Sequence, residues 1–132
     1  TALVLANNCF QAVAAIGYPE CDLILAQTTI YLATSDKSNA SYLAIRAAKT
    51  KVRETGDLKV PLHLRNAPTK LMRDLNYGSG YRYAHDFKGN FIEQEYLPDE
   101  LRGTTFYSPG NNDREHQIRL WLRKNWNDKY GY

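Results

Sequence analysis

The stretch PECDLILAQTTIYLAT, residues 19–34, decides the fold class of this chain. Pro19 suits the first position of a helix, and the carboxylates of Glu20 and Asp22 complement the positive end of its dipole. We therefore predict a helix over residues 19–34. Beyond its first turn this helix is apolar nearly all round, with Leu23, Ile24, Leu25, Ala26, Ile30, Tyr31, Leu32 and Ala33.

A helix that is apolar on every side must be buried on every side. The chain has 132 residues, which corresponds to one domain, and one small domain covers only one or two faces of such a helix. The remaining face predicts a partner, either another domain or a second copy. The candidate interface residues are Leu23, Ile24, Ile30 and Tyr31. The pattern leaves open whether aspartate at Ile24 or at Ile30 would break an assembly or unfold the chain.

The segments on either side of this helix are also helical in pattern. Further helices are predicted at residues 3–16, 39–55, from 66 or 67 to 78, and from about 112 to just before 132. Gly17 and Gly56 end the first and third helices of the chain, because glycine takes the positive φ of a helix C-terminus at no steric cost. Residues 60–64 are predicted to be extended, since Pro61 disfavours helical backbone at the preceding residue.

A long segment between the last two predicted helices, Gly78 to Asn111, has no regular periodicity. It holds seven aromatic side chains, which are Tyr81, Tyr83, Phe87, Phe91, Tyr96, Phe106 and Tyr107. That much apolar area is too large to leave in water. We predict an ordered strap packed across the helices, with a weak hairpin around Lys88-Gly89-Asn90 and a single turn at Pro98–Leu101. The fold class is then all-α, with a single domain over residues 1–132.

The sequence contains no pattern that predicts catalysis, cofactor binding or a metal site. It lacks a phosphate-binding loop, its three histidines have no helical metal-site spacing, and no nucleophile pattern is present. Cys9 and Cys21 are predicted to be free buried thiols. No apolar run approaches the length of a membrane span. The net charge of +3 permits contact with nucleic acid without requiring it.

One cluster of cations is interleaved with aromatic residues. Arg65, Lys70, Arg73 and Arg82 are its candidate DNA contacts, and they alternate with Tyr77, Tyr81, Tyr83 and Phe87. Proteins that bind single strands combine cations for the backbone with aromatic rings on which bases stack. The alternative is that the aromatic residues belong to the core and the cations form its solvated rim.

Several uncommon strings occur here in one order and resemble a known family. They are VPLHLRNAPTKLM at residues 60–72 and YGSGYRYAHD at 77–86, with LAQ at 25–27, YLA at 31–33, KSNA at 37–40, VRETG at 52–56, YLPDEL at 96–101 and FY at 106–107. They resemble the C-terminal part of the replication-associated recombination protein A family, over about residues 1–109. These are bacterial AAA+ ATPases similar to the eukaryotic Werner-helicase-interacting protein.

The resemblance implies a helical domain related to clamp-loader C-terminal collars, which assembles its protein into a homotetramer. It also implies a longer, cytoplasmic and nucleoid-associated parent that is a DNA-stimulated ATPase acting at stalled replication forks. That parent would bind ATP and magnesium in a motor domain that precedes this chain, and single-stranded-DNA-binding protein would be its partner. This chain itself is then expected to be a non-catalytic oligomerisation domain, or alternatively a module that binds single-stranded DNA or DNA ends.

Overall fold

The computed structural model describes residues 1–132, apart from the side chain of Asn127. The described residues form α-helices and short 3-10 helices with no strand, so the predicted all-α class is confirmed. No described helix combines the length and the apolar composition that crossing a membrane requires. The chain divides into two compact units, Thr1–Lys37 and Ser38–Tyr132. That the chain forms a single domain stays a prediction.

The first unit is a pair of helices, α1 (Ala2–Ile16) and α2 (Cys21–Thr34), packed against each other. Gly17 ends α1 as predicted, with φ 76°. The predicted start of α2 at Pro19 is wrong by two residues. Residues 18–20 form a turn, and the N–H of Cys21 donates to the carbonyl of Gly17 across it. Both cysteines are free and buried, as predicted.

The second unit contains α3 (Ala40–Thr55), α4 (Lys70–Asp74) and α5 (Asp113–Tyr130). Gly56 ends α3 as predicted, with φ 65°. Short 3-10 helices lie at Leu62–Leu64, Ala84–Asp86 and Asp99–Leu101, the last of which is the predicted single turn.

Three local predictions in this unit are wrong. The segment expected to be extended turns into a 3-10 helix at Leu62, because the restriction that Pro61 imposes reaches only the residue before it. Helix α4 begins at Lys70 rather than at residue 66 or 67, since the Thr69 hydroxyl accepts the N–H of Met72 and caps it there. It ends at Asp74, short of Gly78. At Lys88–Asn90 the chain forms a tight turn with positive φ at Gly89 and Asn90, and among the described residues no strands pair around it to form a hairpin.

The segment from Gly78 to Asn111 is a strap that packs on α5. The ring of Phe91 meets Trp126 edge to face at 5.0 Å between centroids and Trp121 at 6.2 Å. Tyr96 lies 6.3 Å from Trp126. Edge-to-face pairs of this kind add about 1 kcal/mol each beyond their buried area. The predicted strap is therefore confirmed around Phe91, where α5 holds it. The expectation that all seven aromatic side chains leave water is wrong, because Tyr81, Tyr83 and Tyr96 are about half exposed.

A second anchor between strap and α5 is ionic. The half-buried carboxylate of Glu95 lies 3.2 Å from the ammonium of Lys129, which also donates to the carbonyl of Gln94. Burial alone would raise the pKa of Glu95, but the backbone N–H groups of Leu97 and Tyr96 and the Lys129 charge outweigh it and lower that pKa. The strap therefore holds an ionised carboxylate at this point.

The buried carboxylate of Glu115 fixes the start of α5. Its oxygens accept hydrogen bonds from the Ser38 hydroxyl at 2.7 Å, the Gly110 N–H at 2.8 Å and the Asn112 side chain at 3.1 Å. The Ser38 oxygen in turn accepts the N–H of Ala40 at the start of α3. One carboxylate thus connects the first turns of two helices.

Candidate functional site

Two of the predicted interface residues lie on one exposed face of α2. Leu23 and Ile30 are seven positions apart, which places them on the same side of a helix. Leu23 is 79% exposed and Ile30 is 64% exposed. An apolar side chain that is exposed to this extent contributes little to the stability of its own helix pair, so this face is available to a partner.

The other two predicted interface residues, Ile24 and Tyr31, lie on the side of α2 that meets α1. They line a cavity of about 260 Å³ together with Leu5, Asn8, Cys9, Ala12, Gln27 and Thr28. The thiol of Cys9 approaches the carbonyl of Ile24 at 4.0 Å. Tyr31 is still 38% exposed at the edge of this cavity. The structure therefore separates the four residues into an outward pair and a pair on the side of α2 that faces α1.

Helix α1 adds apolar side chains that the sequence reasoning did not assign to an interface. Leu3, Val4, Phe10 and Ile16 are all exposed. Leu3 and Phe10 are seven residues apart and share one face, whereas α1 turns a different face, that of Leu5, Cys9 and Ala12, toward α2. The signal was present in the sequence, because α1 carries apolar residues on more than one face.

The candidate DNA contacts begin on the loop before α4. The guanidinium of Arg65 lies 5.0 Å from the centroid of the Tyr77 ring and donates to the carbonyl of Val60 at 2.6 Å. Arg73 donates to the carbonyls of Ala67 and Pro68. These contacts fix the two guanidinium groups without neutralising them.

Lys70 and Arg82 complete the predicted cluster. Lys70 is exposed at the start of α4, and among the described residues none pairs with its ammonium group. Arg82 lies on the strap with its guanidinium 4.8 Å from the centroid of Phe87. Three of the four cations thus share the continuous segment 60–78, and Arg82 lies beyond it.

The aromatic residues of this cluster have two different surroundings. Tyr77 and Phe87 each support a guanidinium group, as in a cation–π contact. Tyr81 and Tyr83 are 52% and 54% exposed. The interpretation that all these aromatics belong to the core therefore does not describe Tyr81 and Tyr83, although the Tyr83 ring packs against His85 at 4.9 Å between centroids.

The described residues contain no group of three or more His, Cys, Asp or Glu side chains placed to hold a metal ion. The two candidate sites are the exposed apolar side chains of α1 and α2 and the cations within residues 65–82.

Comparison with known proteins identifies the class to which this helical chain belongs. A family model described as MgsA AAA+ ATPase C terminal matches residues 1–126. The chain therefore belongs to this family of AAA+ ATPase C-terminal domains. The C-terminal domain is a different part of such an ATPase from its motor domain. The resemblance stated above is confirmed.

Several bacterial relatives are named for replication and recombination. Replication-associated recombination protein A of Coxiella burnetii is 46% identical over 119 residues, which are 89% of this chain and 27% of that protein. The protein of the same name from Escherichia coli is 45% identical over 87% of this chain and 25% of its own length. ATPase WRNIP1 of Dictyostelium discoideum is 36% identical over 87% of this chain and 14% of its own length. The chain thus spans about a quarter of its bacterial relatives.

Proposed function

We propose that this chain is the homotetramerisation domain of a DNA-stimulated AAA+ ATPase that acts in replication-fork rescue and recombination. The observation that carries the proposal is the apolar surface of α1 and α2, with Leu23 and Ile30 exposed on a single face. Exposed apolar patches of this kind mark sites of protein association. The relatives' names supply the setting in replication and recombination.

Within this proposal the chain contributes no catalytic group. ATP and magnesium are assigned to the motor domain of the whole ATPase, and single-stranded-DNA-binding protein is assigned to the whole protein as a partner. The role of this chain is to bring motor domains together in an assembly with closed symmetry, the kind of symmetry that most homo-oligomers adopt.

The mass of the chain in solution tests the proposal. We expect light scattering at micromolar concentration to give four times the chain mass of 15.1 kDa. A stable interface of this class buries more than about 1,000 Å², so the assembly should persist on dilution through the micromolar range. A mass of one chain would contradict the proposal.

A second candidate function is binding of single-stranded DNA or DNA ends through Arg65, Lys70, Arg73 and Arg82. The observation in its favour is that no carboxylate among the described residues forms an ion pair with any of the four cations. Cations held in place but not neutralised are suited to phosphate, and Arg presents a planar fork of donors that matches it.

The second function predicts uniform weakening of DNA binding in Arg73→Ala and Arg82→Ala. Phosphate contacts carry no base information, so each variant should weaken binding to oligonucleotides of different sequence by about the same factor. Each lost contact should reduce the log–log salt slope by about 0.7 for single strands. Arg73→Lys and Arg82→Lys keep the charge and serve as controls. Alanine variants that bind like the parent would show that the cluster is only a solvated rim.

A further inference from the structure

Helix α3 carries a line of cations outside both surfaces described above. Arg46, Lys49 and Arg53 are spaced by three and four residues, which places them on one face of the helix. All three are exposed. At about 1.5 Å per residue, the line extends about 10 Å along the helix axis. This is the densest run of aligned positive charge on any helix of the chain.

These cations are not neutralised by the helix that carries them. The one carboxylate on α3, that of Glu54, pairs with the ammonium group of Lys51 at 2.9 Å. Lys51 lies on a different face of the helix from the three aligned cations. No carboxylate of the described residues forms an ion pair with Arg46, Lys49 or Arg53. The helix therefore presents a net positive line to solvent.

An aromatic ring stands at the beginning of this line. Tyr42 precedes Arg46 by four residues and is 56% exposed. The Arg46 guanidinium lies 5.5 Å from the centroid of the Tyr42 ring and donates to its hydroxyl at 3.2 Å. The two side chains hold each other in place, and more than half of the Tyr42 side chain stays exposed to solvent, where it can meet a base.

We propose that α3 binds the backbone of single-stranded DNA through Arg46, Lys49 and Arg53, and that Tyr42 stacks on one of its bases. An acidic protein segment would also be attracted by the cations. DNA fits better for two reasons. The planar guanidinium group of arginine pairs with phosphate through two hydrogen bonds. An exposed tyrosine ring can stack on a base, whereas it adds nothing to the binding of an acidic peptide. The inference rests on the second proposed function for the class of ligand, but it uses different residues.

The test is the salt dependence of binding to a labelled oligo-dT of about thirty nucleotides, measured by fluorescence anisotropy on the whole chain. The variant is Arg46→Gln, Lys49→Gln and Arg53→Gln combined, which retains good helix formers. Three phosphate contacts contribute about −2 to the log–log slope. We expect the variant to lose this contribution. Between 50 and 200 mM salt, the factor by which the parent loses affinity should then be about twenty times the factor by which the variant loses affinity.

The matched control removes the same charge from another exposed helix surface, with Arg114→Gln, Arg123→Gln and Lys124→Gln combined on α5. Circular dichroism verifies that both variants keep their helices. We expect the control to retain the parent slope. Equal losses in variant and control would overturn the inference, because net charge alone would then explain the binding.

Two further outcomes separate this inference from its alternatives. Competition by a poly-glutamate peptide as strong as that by unlabelled oligo-dT would overturn it in favour of an acidic protein partner. Loss of binding in Lys70→Gln, Arg73→Gln and Arg82→Gln combined, with the α3 variant unchanged, would overturn it while leaving the second function intact. Loss in the α3 variant alone would support it and contradict the assignment of DNA contacts to residues 65–82.

Discussion

Ile30→Asp is expected to reduce the assembly to single chains while α1 and α2 stay folded. In one chain Ile30 is largely exposed, so an aspartate there changes little beyond helix propensity, by less than about 1 kcal/mol. In an assembly that covers this face, the same carboxylate would be buried without a partner, at a cost of several kcal/mol in every copy. Light scattering should give 15.1 kDa, and circular dichroism should remain that of the parent.

Two comparison variants sharpen this result. Leu23→Asp lies on the same face and in the first turn of α2, where a negative charge is favoured, so it should also dissociate the assembly without harming the helix. Ser41→Asp adds the same charge at an exposed position in the first turn of α3 and should leave the mass unchanged. If both aspartates on α2 leave a tetramer in place, the contact between copies lies elsewhere.

The inward position on the same helix should respond differently. Ile24 lines the cavity between α1 and α2, so Ile24→Asp places a charge within the packing of the helix pair itself. We expect loss of helical signal from the first unit along with loss of assembly. The contrast between Ile24 and Ile30 is what identifies an interface residue as opposed to a packing residue.

The contrast between Ile24 and Ile30 also shows which part of the assembly surface the sequence can predict. An all-round apolar helix predicts that some face needs a partner, and the exposure of Leu23 and Ile30 agrees with that reasoning. The same helix has no polar face from which to orient it, so the pattern could not separate Ile24 from Ile30. That separation depends on which side α1 occupies, and only the packed pair provides it.

Helix ends were predictable where one residue type has one use. Gly17 and Gly56 take positive φ, and glycine alone does so without cost. Pro19 has two uses, because the first turn of a helix and the turn before it both accept a proline. The hydrogen bond from Cys21 to Gly17 decides between them, and it depends on the path of the backbone.

The failed hairpin has a similar cause. Gly89 and Asn90 take positive φ, as the turn signal at this position predicts. A hairpin also needs two strands that pair, and here Phe91 is drawn onto Trp126 and Trp121 of α5 instead. The local sequence therefore determines the turn, and the tertiary packing of one aromatic side chain determines the path of the chain after it.

The largest stability loss from a single side chain is expected at Glu115. Asn112 and Glu115 have the spacing of a helix cap, and the Glu115 N–H donates to the Asn112 oxygen at 2.9 Å, so the local part of this arrangement is legible in the sequence. The hydrogen bond from Ser38, which is 77 positions away, could not be predicted from the sequence.

Glu115→Ala removes the acceptor for Ser38, Gly110 and Asn112 together. It should lower the free energy of unfolding by about 3 kcal/mol, because hydrogen bonds to a charged group are worth about 1.5–3 kcal/mol each and the donors partly regain water.

Urea unfolding at one fixed protein concentration measures this loss, because the stability of an oligomer depends on concentration. Glu93→Ala removes an exposed carboxylate from the strap and should change stability by no more than about 0.5 kcal/mol. Gly110→Ala disturbs the same carboxylate by a different route. The added methyl group would overlap a Glu115 oxygen and displace the carboxylate from its hydrogen-bond donors. If Glu115 connects α3 to α5 as the bonds indicate, Gly110→Ala and Glu115→Ala combined should cost little more than Glu115→Ala alone, because both act on one carboxylate. Losses that simply add would show that Gly110 and Glu115 stabilise the fold independently.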